Sequence, residues 1–288
     1  MEAAGNHQLQ GKHCMITGAS SGLGRITAIE LARMGANLTL VCRNRARGEE
    51  VIAEIRDKTA NRTLTLMLAD LSRQQSIREL AAAFIDRGEP LHVLVNNAGV
   101  FNLKREVTAD GIEAVFAVNH LSYFMLTMLL LDCIKHSAPA RIVNVASAAH
   151  HGATLDFDDL GGEGSYRSMR VYRRSKLANI LFTYELARRL DGTRVTVNCA
   201  HPGAVATGLG ANNGALAKLL MPLIGLFMRS PEQGAATQIY LASSSEVEGV
   251  TGKYFVDCKP AQSSAESHDI AVARRLWDAS ARMTGVGV

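Results

Sequence analysis

The sequence predicts a single-domain α/β fold, a doubly wound parallel sheet of about seven strands with helices on both faces. Short β-type runs alternate with helix-length segments from one end of the chain to the other, which is typical of βαβ units. Predicted strands such as residues 91–95 are almost continuously apolar, as expected for a sheet that is buried on both faces. No linker, repeat or low-complexity tract divides the chain, so residues 1–288 are predicted to form one domain.

The predicted elements follow one another with short connections. The strands are expected at residues 12–17, 37–42, 63–69, 91–96, 141–146, 194–199 and 253–256. The helices are expected at residues 23–34, 45–59, 72–87, 111–136, 171–190 and about 268–283. Strand–helix–strand units of this kind are almost always right-handed, which places the helices on both sides of the sheet.

Two longer stretches, about 150–170 and about 208–230, interrupt this alternation after the fifth and sixth strands. Ligands bind at the carboxyl ends of the strands in open α/β sheets, so we expect both stretches to be substrate loops. The second stretch contains an apolar run, residues 219–228. That run leaves three interpretations: a lid over an apolar substrate, contact with a membrane, or ordinary packing.

Composition excludes several classes of protein. The formal charge is only +4 and the basic residues are scattered, so no nucleic-acid partner is expected. The five cysteines have neither disulfide nor metal spacing, and the His150-His151 pair has no further ligands at metal spacing, so we expect reduced thiols and no metal. Residues 1–7 are polar and no run approaches the ~18 apolar residues of a membrane span. We therefore expect a cytoplasmic protein with no transmembrane span.

A glycine-rich turn follows the first predicted strand and opens the first helix. Glycines allow a tight turn and close approach of the backbone to a ligand, and the helix N-terminus offers free N–H groups to a pyrophosphate. A purely structural turn is the alternative. The pattern favours a dinucleotide-binding (Rossmann) site whose first contacts are Gly18, Ser20, Ser21, Gly22, Leu23 and Gly24.

The end of the second strand indicates which dinucleotide binds. A carboxylate about 20 residues after the glycine turn would bind a ribose 2′-hydroxyl, but here the chain has Arg43 and Asn44. An arginine can bind a 2′-phosphate with two hydrogen bonds, and Arg25 could add positive charge. These residues favour NADP(H), whereas the alternative is that Arg43 and Arg45 are solvated surface charges.

The third and fourth strands end in further candidate contacts. Asp70, followed by Leu71, could accept a hydrogen bond from an adenine amino group, although Asp70 or Ser72 could instead cap the next helix. The fourth strand ends in Asn97, Ala98 and Gly99, whose small side chains would let a nucleoside lie against the backbone.

Four residues are the candidates for chemistry. Tyr172 and Lys176 are four apart on a predicted helix and share a face, so the ammonium is expected to lower the phenol's pKa from about 10 and to suit it for proton transfer. A solvated helix face is the alternative. Ser147 follows the fifth strand and could bind a substrate oxygen, or it could simply form a turn. Asn119 lies in an apolar helical stretch, where its side chain needs a polar partner.

A last motif, His201-Pro202-Gly203, ends the sixth strand. In order and spacing, these motifs resemble the short-chain dehydrogenase/reductase family, and in particular its retinol-dehydrogenase-like branch. The resemblance extends from about residue 11 to residue 256. It implies an NADP(H)-dependent enzyme that interconverts a lipophilic alcohol and a ketone or aldehyde, and a homo-oligomer formed through the two long central helices.

The resemblance also implies roles for individual residues. Tyr172 would be the general acid or base, Lys176 would lower its pKa and bind the nicotinamide ribose, Ser147 would bind the carbonyl oxygen, and Asn119 would hold a water linking Lys176 to solvent. The segment that covers the nicotinamide would include Pro202, Gly203, Val205 and Thr207, with Thr207 contacting the carboxamide. Two alternatives remain: a catalytically idle NADP(H)-binding sensor or interaction protein, and a related chemistry such as epimerisation or enoyl reduction.

Overall fold

The computed structural model describes residues 8–203, 205 and 229–286. Within them, one sheet of eight strands has the order β3-β2-β1-β4-β5-β6-β7-β8. The strands are β1 (His13–Thr17), β2 (Asn37–Cys42), β3 (Leu64–Leu68), β4 (Val93–Asn96), β5 (Ala140–Val145), β6 (Val195–His201), β7 (Lys253–Val256) and β8 (Lys259–Ala261). Strands β1 to β7 are parallel, and β8 pairs antiparallel with β7. The predicted doubly wound α/β fold is confirmed, and the seven predicted strands lie close to their expected positions.

The short strand β8 was not predicted. It has three exposed residues, contains Pro260, and follows a tight turn in which Asp257 and Cys258 have positive φ. So short and polar a segment lacks the apolar alternation by which strands are recognised in a sequence.

Helices flank the sheet in chain order. They are α1 (Gly22–Arg33), α2 (Arg45–Lys58), α3 (Gln74–Ile85), α4 (Ala114–Phe116), α5 (Ser122–Leu129), α6 (Leu131–His136), α7 (Ser168–Arg189), α8 (Pro231–Ser243) and α9 (Ile270–Thr284). The single helix predicted at residues 111–136 is wrong in detail, because α4 leads through a π-helical turn, Ala117–Leu121, into α5. Helix α4 begins after residue 111, where the helix was predicted to start, because Glu113 caps it. The buried Glu113 carboxylate accepts hydrogen bonds from the N–H groups of Val115 and Phe116.

Two apolar clusters lie on opposite faces of the sheet. Helices α1, α2 and α8 bury side chains such as Ile29, Val51 and Leu241 on one face. Helices α3, α5, α7 and α9 bury side chains such as Phe124 and Phe182 on the other. Each fully buried side chain of this size contributes about 1.5–3 kcal/mol of transfer free energy, so both faces of the sheet are tightly constrained.

Helix α9 packs across α5 and α7. The Trp277 ring lies 5.1 Å from Phe124 and 6.0 Å from Phe182, and the Arg189 guanidinium lies 4.0 Å above the indole. The chain itself therefore covers this face of the two helices. The homo-oligomer expected through them stays a prediction.

Among residues 8–203, 205 and 229–286, no helix has both the length and the apolar character that a bilayer crossing needs. The sheet order places β1 beside β4, so the chain leaves these two strands in opposite directions and opens a crevice at their carboxyl ends.

Candidate active site

A cavity of about 380 Å³ lies in this crevice. Several segments that are far apart in the sequence meet around it. Its lining includes the predicted residues Gly18, Ser20, Ser21, Gly22, Leu23, Arg43, Asn44, Asp70, Leu71, Asn97, Ala98 and Gly99, together with Val41, Arg47, Ala69, Ser72, Val100 and Val118. Gly24, Tyr172, Lys176, Pro202, Gly203 and Val205 do not line it.

The glycine turn is tied directly to the end of β4. The Thr17 hydroxyl accepts hydrogen bonds from the N–H groups of Asn97 (2.9 Å) and Ala98 (3.1 Å). Gly18 has φ +67°, and a Cβ there would lie 2.9 Å from the Ala98 Cα. Gly24 supports the turn from behind, because a Cβ on it would collide with the Gly18 carbonyl oxygen and lie 2.5 Å from the Asn97 amide nitrogen.

Gly24→Ala is expected to destabilise the fold by about 1–3 kcal/mol, because the added methyl group meets backbone atoms that cannot move without opening the turn. Chemical denaturation followed by circular dichroism measures this loss. Gly164→Ala is the matched control, because its nearest neighbour would be Asp159 Oδ2 at 3.8 Å. Equal stability of the two variants would contradict the assigned packing role of Gly24.

Two arginines line the cavity, and neither forms an ion pair with any residue that the structure describes. One is the predicted Arg43 and the other is Arg47, which sequence reasoning missed. Asn44 caps α2 by accepting a hydrogen bond from the Arg47 N–H (3.0 Å), and the cap brings the first turn of α2 to the cavity. The sequence could have indicated Arg47, because it follows the helix-capping Asn44 by three residues and so lies in the first turn of the helix.

The other basic residues considered from the sequence have carboxylate partners. The Arg25 guanidinium pairs with both carboxylate oxygens of Glu54, so the expectation that Arg25 adds charge to the cofactor site is wrong. Arg45 lies 3.6 Å from Glu49 on the surface of α2. The positive charge available at the cavity is therefore that of Arg43 and Arg47.

Asp70 does not cap helix α3. Its Oδ1 atom accepts hydrogen bonds from the N–H (3.0 Å) and the hydroxyl (2.7 Å) of Ser72, and the first N–H of α3 is bonded to Asp110 instead. The alternative in which Asp70 or Ser72 caps α3 is thus wrong. Asp70 lines the cavity, and its contact with adenine stays a prediction.

Ser147, Tyr172 and Lys176 meet at the same carboxyl edge of the sheet, where β5 ends and α7 begins. The Ser147 side chain lies close enough to the Tyr172 phenol to favour its ionised form. The Lys176 Nζ atom lies 5.7 Å from the centre of the Tyr172 ring and donates to the Val145 carbonyl oxygen at 3.1 Å. Ser147 Oγ also accepts from the Ala149 N–H at 3.1 Å, so the turn role considered for this serine is present as well.

The pKa values differ from the sequence-based expectation. Burial raises the pKa of Tyr172 above its ordinary value, and only the nearby Ser147 side chain acts against this. Burial also lowers the pKa of Lys176 to about 8. The prediction that Lys176 lowers the pKa of Tyr172 is therefore not met, because desolvation dominates and Lys176 is not among the groups that shift the phenol's pKa. At neutral pH the phenol is protonated and the ammonium is still largely charged.

Asn119 lies in the π-helical turn, a distortion that is frequent at functional sites. Its Oδ1 atom accepts from the Val100 N–H (2.8 Å), and its amide group donates to the Val100 carbonyl (3.0 Å) and to Ser175 Oγ (3.1 Å). Ser175 in turn donates to the Tyr172 carbonyl at 2.7 Å. The expected polar partners are thus backbone and hydroxyl groups of the site, and the proposed water held by Asn119 stays a prediction.

Phe101 was missed by the sequence analysis. Its ring meets the Tyr172 ring edge to face, with the centroids 5.6 Å apart and an interplanar angle of 84°. Only its position two residues after Gly99, at the end of β4, could have indicated such a contact.

The segment after β6 lies beside the end of β5. Gly203 has φ +81°, and a Cβ there would lie 2.7 Å from Arg229 Cδ. Val205 forms an isolated parallel bridge with Arg229. Thr207 and residues 208–228 of the second predicted substrate loop lie outside the described residues.

The first predicted substrate loop is anchored to α7. The Arg174 guanidinium donates to the Asp159 carbonyl oxygen at 2.7 Å and lies 3.7 Å from the Asp156 carboxylate. The loop therefore packs against the first turns of the helix that contains Tyr172.

Comparisons with known proteins agree with this architecture. A family model described as short chain dehydrogenase matches residues 12–216. The chain is 46% identical to human retinol dehydrogenase 14, over 96% of this chain and 88% of that protein. It is 44% identical to human retinol dehydrogenase 13, over 96% of this chain and 86% of that protein.

Two solved structures are also similar. An uncharacterized protein from Mycobacterium paratuberculosis has a TM-score of 0.77 and 30% identity, over 96% of this chain and 94% of that one. A short chain dehydrogenase from Burkholderia cenocepacia, solved in complex with NADP, has a TM-score of 0.68 and 26% identity, over 86% of this chain and 96% of that one.

Proposed function

This chain belongs to the short-chain dehydrogenase family, and on that premise we propose that it is an NADP(H)-dependent oxidoreductase that interconverts an alcohol and a ketone or aldehyde. The observation that carries the proposal is the convergence of Ser147 and Tyr172 where β5 ends and α7 begins, with Lys176 one helical turn away. A phenol and a hydroxyl that lie this close together can both bond to one substrate oxygen.

The roles of the residues follow from this geometry. In the reductive direction, Tyr172 donates its proton to the carbonyl oxygen while the Ser147 hydroxyl donates a hydrogen bond to the same atom. NADPH, when bound, supplies the hydride for the carbonyl carbon. The Lys176 ammonium stabilises the phenolate that remains, and this stabilisation is strong because the amine is buried. In the oxidative direction, the phenolate accepts the proton of the alcohol.

The cavity residues fit a phosphorylated dinucleotide. The turn at Gly18 exposes backbone at a point where a Cβ would not fit, so a pyrophosphate can approach closely. The guanidinium groups of Arg43 and Arg47 have no carboxylate partners among the described residues and are free to bind a 2′-phosphate. The NADP complex of the Burkholderia relative supports the same cofactor for this chain.

Apolar groups beside Tyr172 support a lipophilic substrate. The Phe101 ring contacts the phenol ring, and Met169, one turn earlier on α7, is 49% exposed. An apolar substituent of the carbonyl could pack against these side chains and lose contact with water. The names of the retinol dehydrogenase relatives support the same class of substrate.

An activity screen with the purified protein tests the proposal. NADPH oxidation would be followed by its absorbance with retinoid aldehydes, steroid ketones, lipid aldehydes, small quinones and an enoyl compound. We expect turnover with apolar aldehydes or ketones and a clear preference for NADPH over NADH. If the protein bound NADPH and reduced none of these compounds, the idle sensor would replace the enzyme as the better interpretation.

The reductive kcat/KM is expected to fall as the pH rises above about 8. Lys176 has a lowered pKa of about 8, so its charge is present below that pH and is lost above it. If only the charged form is active, the loss approaches about tenfold per pH unit. A profile between pH 6 and pH 10 measures it. Since the pKa of Tyr172 is raised above 10, this limb belongs to Lys176, and a constant rate up to pH 9.5 would contradict the assignment.

A cytoplasmic location and the absence of a nucleic-acid partner complete the proposal. All five cysteines are free thiols. Burial raises the pKa of Cys42 to about 11, so this thiol is poorly reactive. Free, inert thiols support a reducing compartment.

A further inference from the structure

His201 is the first residue of the His-Pro-Gly motif, and the proposed mechanism gives it no role. It ends β6, where its backbone pairs with Val256 of β7. The preceding residue, Ala200, pairs with Val145 of β5, so the histidine lies between the strand that leads to Ser147 and the segment that begins with Pro202. This position allows one side chain to contact both.

The His201 ring accepts two backbone hydrogen bonds at one atom. Its Nδ1 accepts from the Ala148 N–H at 3.2 Å and from the Gly203 N–H at 3.3 Å. A ring nitrogen that accepts hydrogen bonds has no proton, so His201 is the neutral tautomer with its proton on Nε2. One atom therefore joins the residue after Ser147 to the segment proposed to cover the nicotinamide.

The surroundings of His201 keep the ring neutral. Burial, together with Arg229, His150 and His151, lowers its pKa to about 4, whereas Asp257 acts in the opposite direction. The ring is stacked nearly parallel to that of Tyr254, with an angle of 11° between the planes. At physiological pH the Nδ1 atom is thus a permanent acceptor.

A second histidine bonds to the same peptide group as His201. The His150 Nδ1–H donates to the Ser147 carbonyl oxygen at 2.6 Å, and its Nε2 accepts from the Ser264 N–H at 3.0 Å. His150 is fully buried. The peptide group between Ser147 and Ala148 is therefore held by imidazoles at both its oxygen and its N–H, with the ring proton on Nδ1 in His150 and on Nε2 in His201.

We propose that His201 is a positioning residue: its Nδ1 atom fixes the catalytic Ser147 relative to Gly203, so that the serine hydroxyl and the nicotinamide-covering segment keep one geometry. This inference rests on the proposed function. Without the acceptor, two N–H groups lose their partner and the turn after Ser147 can shift against Tyr172. A displacement of about 1 Å in such a site can cost about 100-fold in rate.

Amide isosteres of the imidazole test this assignment. The oxygen of asparagine takes the place of Nδ1, whereas the oxygen of glutamine takes the place of Nε2. We expect kcat to fall at least about tenfold in His201→Leu and His201→Gln, and to stay within about threefold of wild type in His201→Asn. NADPH affinity, measured by fluorescence titration, should change little because Arg43 and Arg47 lie at the other end of the proposed cofactor site.

His151→Leu is the matched control, because this neighbouring histidine is exposed and should leave kcat unchanged. Thermal unfolding of every variant separates loss of fold from loss of position. If Leu or Gln retained wild-type kcat, or if Asn lost as much as Gln at equal thermal stability, the positioning role would be overturned.

Tyr172→Phe, assayed in parallel, separates this inference from the proposed function. If Tyr172→Phe turns over normally, the proposed function is wrong. If Tyr172→Phe is inactive while His201→Leu is normal, only the positioning role is wrong.

Discussion

Tyr172→Phe is expected to lower kcat for carbonyl reduction by at least about 10³-fold while NADPH affinity changes by less than about threefold. The substitution removes the only atom of this side chain that can donate a proton. It keeps the ring that packs against Phe101. The loss should therefore appear in the chemical step and not in cofactor binding, since Tyr172 does not line the cavity at the carboxyl ends of β1 and β4.

Steady-state kinetics and a separate NADPH titration measure the two quantities. Tyr184→Phe is a matched control on the same helix, because its hydroxyl is bonded to Ser263 and lies three turns beyond Tyr172. That variant should retain turnover. Loss of NADPH affinity in proportion to the loss of kcat would show that Tyr172 acts in binding or folding and would contradict its assignment as the proton donor.

Arg43→Asp is expected to lower the preference for NADPH over NADH, expressed as the ratio of kcat/KM values, by about 10²-fold or more. Hydrogen bonds to a charged partner contribute about 1.5–3 kcal/mol, and the new carboxylate would also repel the 2′-phosphate. The same carboxylate could accept a hydrogen bond from the ribose 2′-hydroxyl of NADH. Activity with NADH should therefore be retained or should rise.

Kinetics with both cofactors at saturating carbonyl substrate measure this ratio. Arg45→Asp is the control for a change of charge alone, because Arg45 lies near Glu49 and does not line the cavity. An unchanged ratio in Arg43→Asp would remove this arginine from the phosphate site and would leave Arg47 as the candidate.

The alternation of elements was predictable because strands buried on both faces must be apolar and because parallel pairing requires a helix-length crossover. The predicted positions of strands such as β2 (Asn37–Cys42) and β7 (Lys253–Val256) match the structure. The start of α4 and the π-helical turn were not predictable from apolar periodicity. They depend on the side chains of Glu113 and Asn119, whose hydrogen bonds compete with regular helix.

At the candidate site, the structure brings residues of the short motifs together, whereas their partners from distant segments were not predicted. The glycine turn, Arg43 and the Asn-Ala-Gly segment line one cavity as expected, because the carboxyl ends of neighbouring parallel strands share one edge. Whether Arg25 is free or paired depends on Glu54, which lies on another helix. The contact of Phe101 with Tyr172 likewise joins segments that are separated by 70 residues of chain.

The sequence by itself determined the layered α/β fold, the edge of the sheet at which the candidate residues gather and the residue types available for proton transfer. These follow from local periodicity and from where each strand ends. Only the tertiary structure decided the protonation of those groups, the arginines left unpaired and the covering of α5 and α7 by α9. Desolvation, ion pairing and packing depend on which distant segments meet, and no local pattern of residues records this.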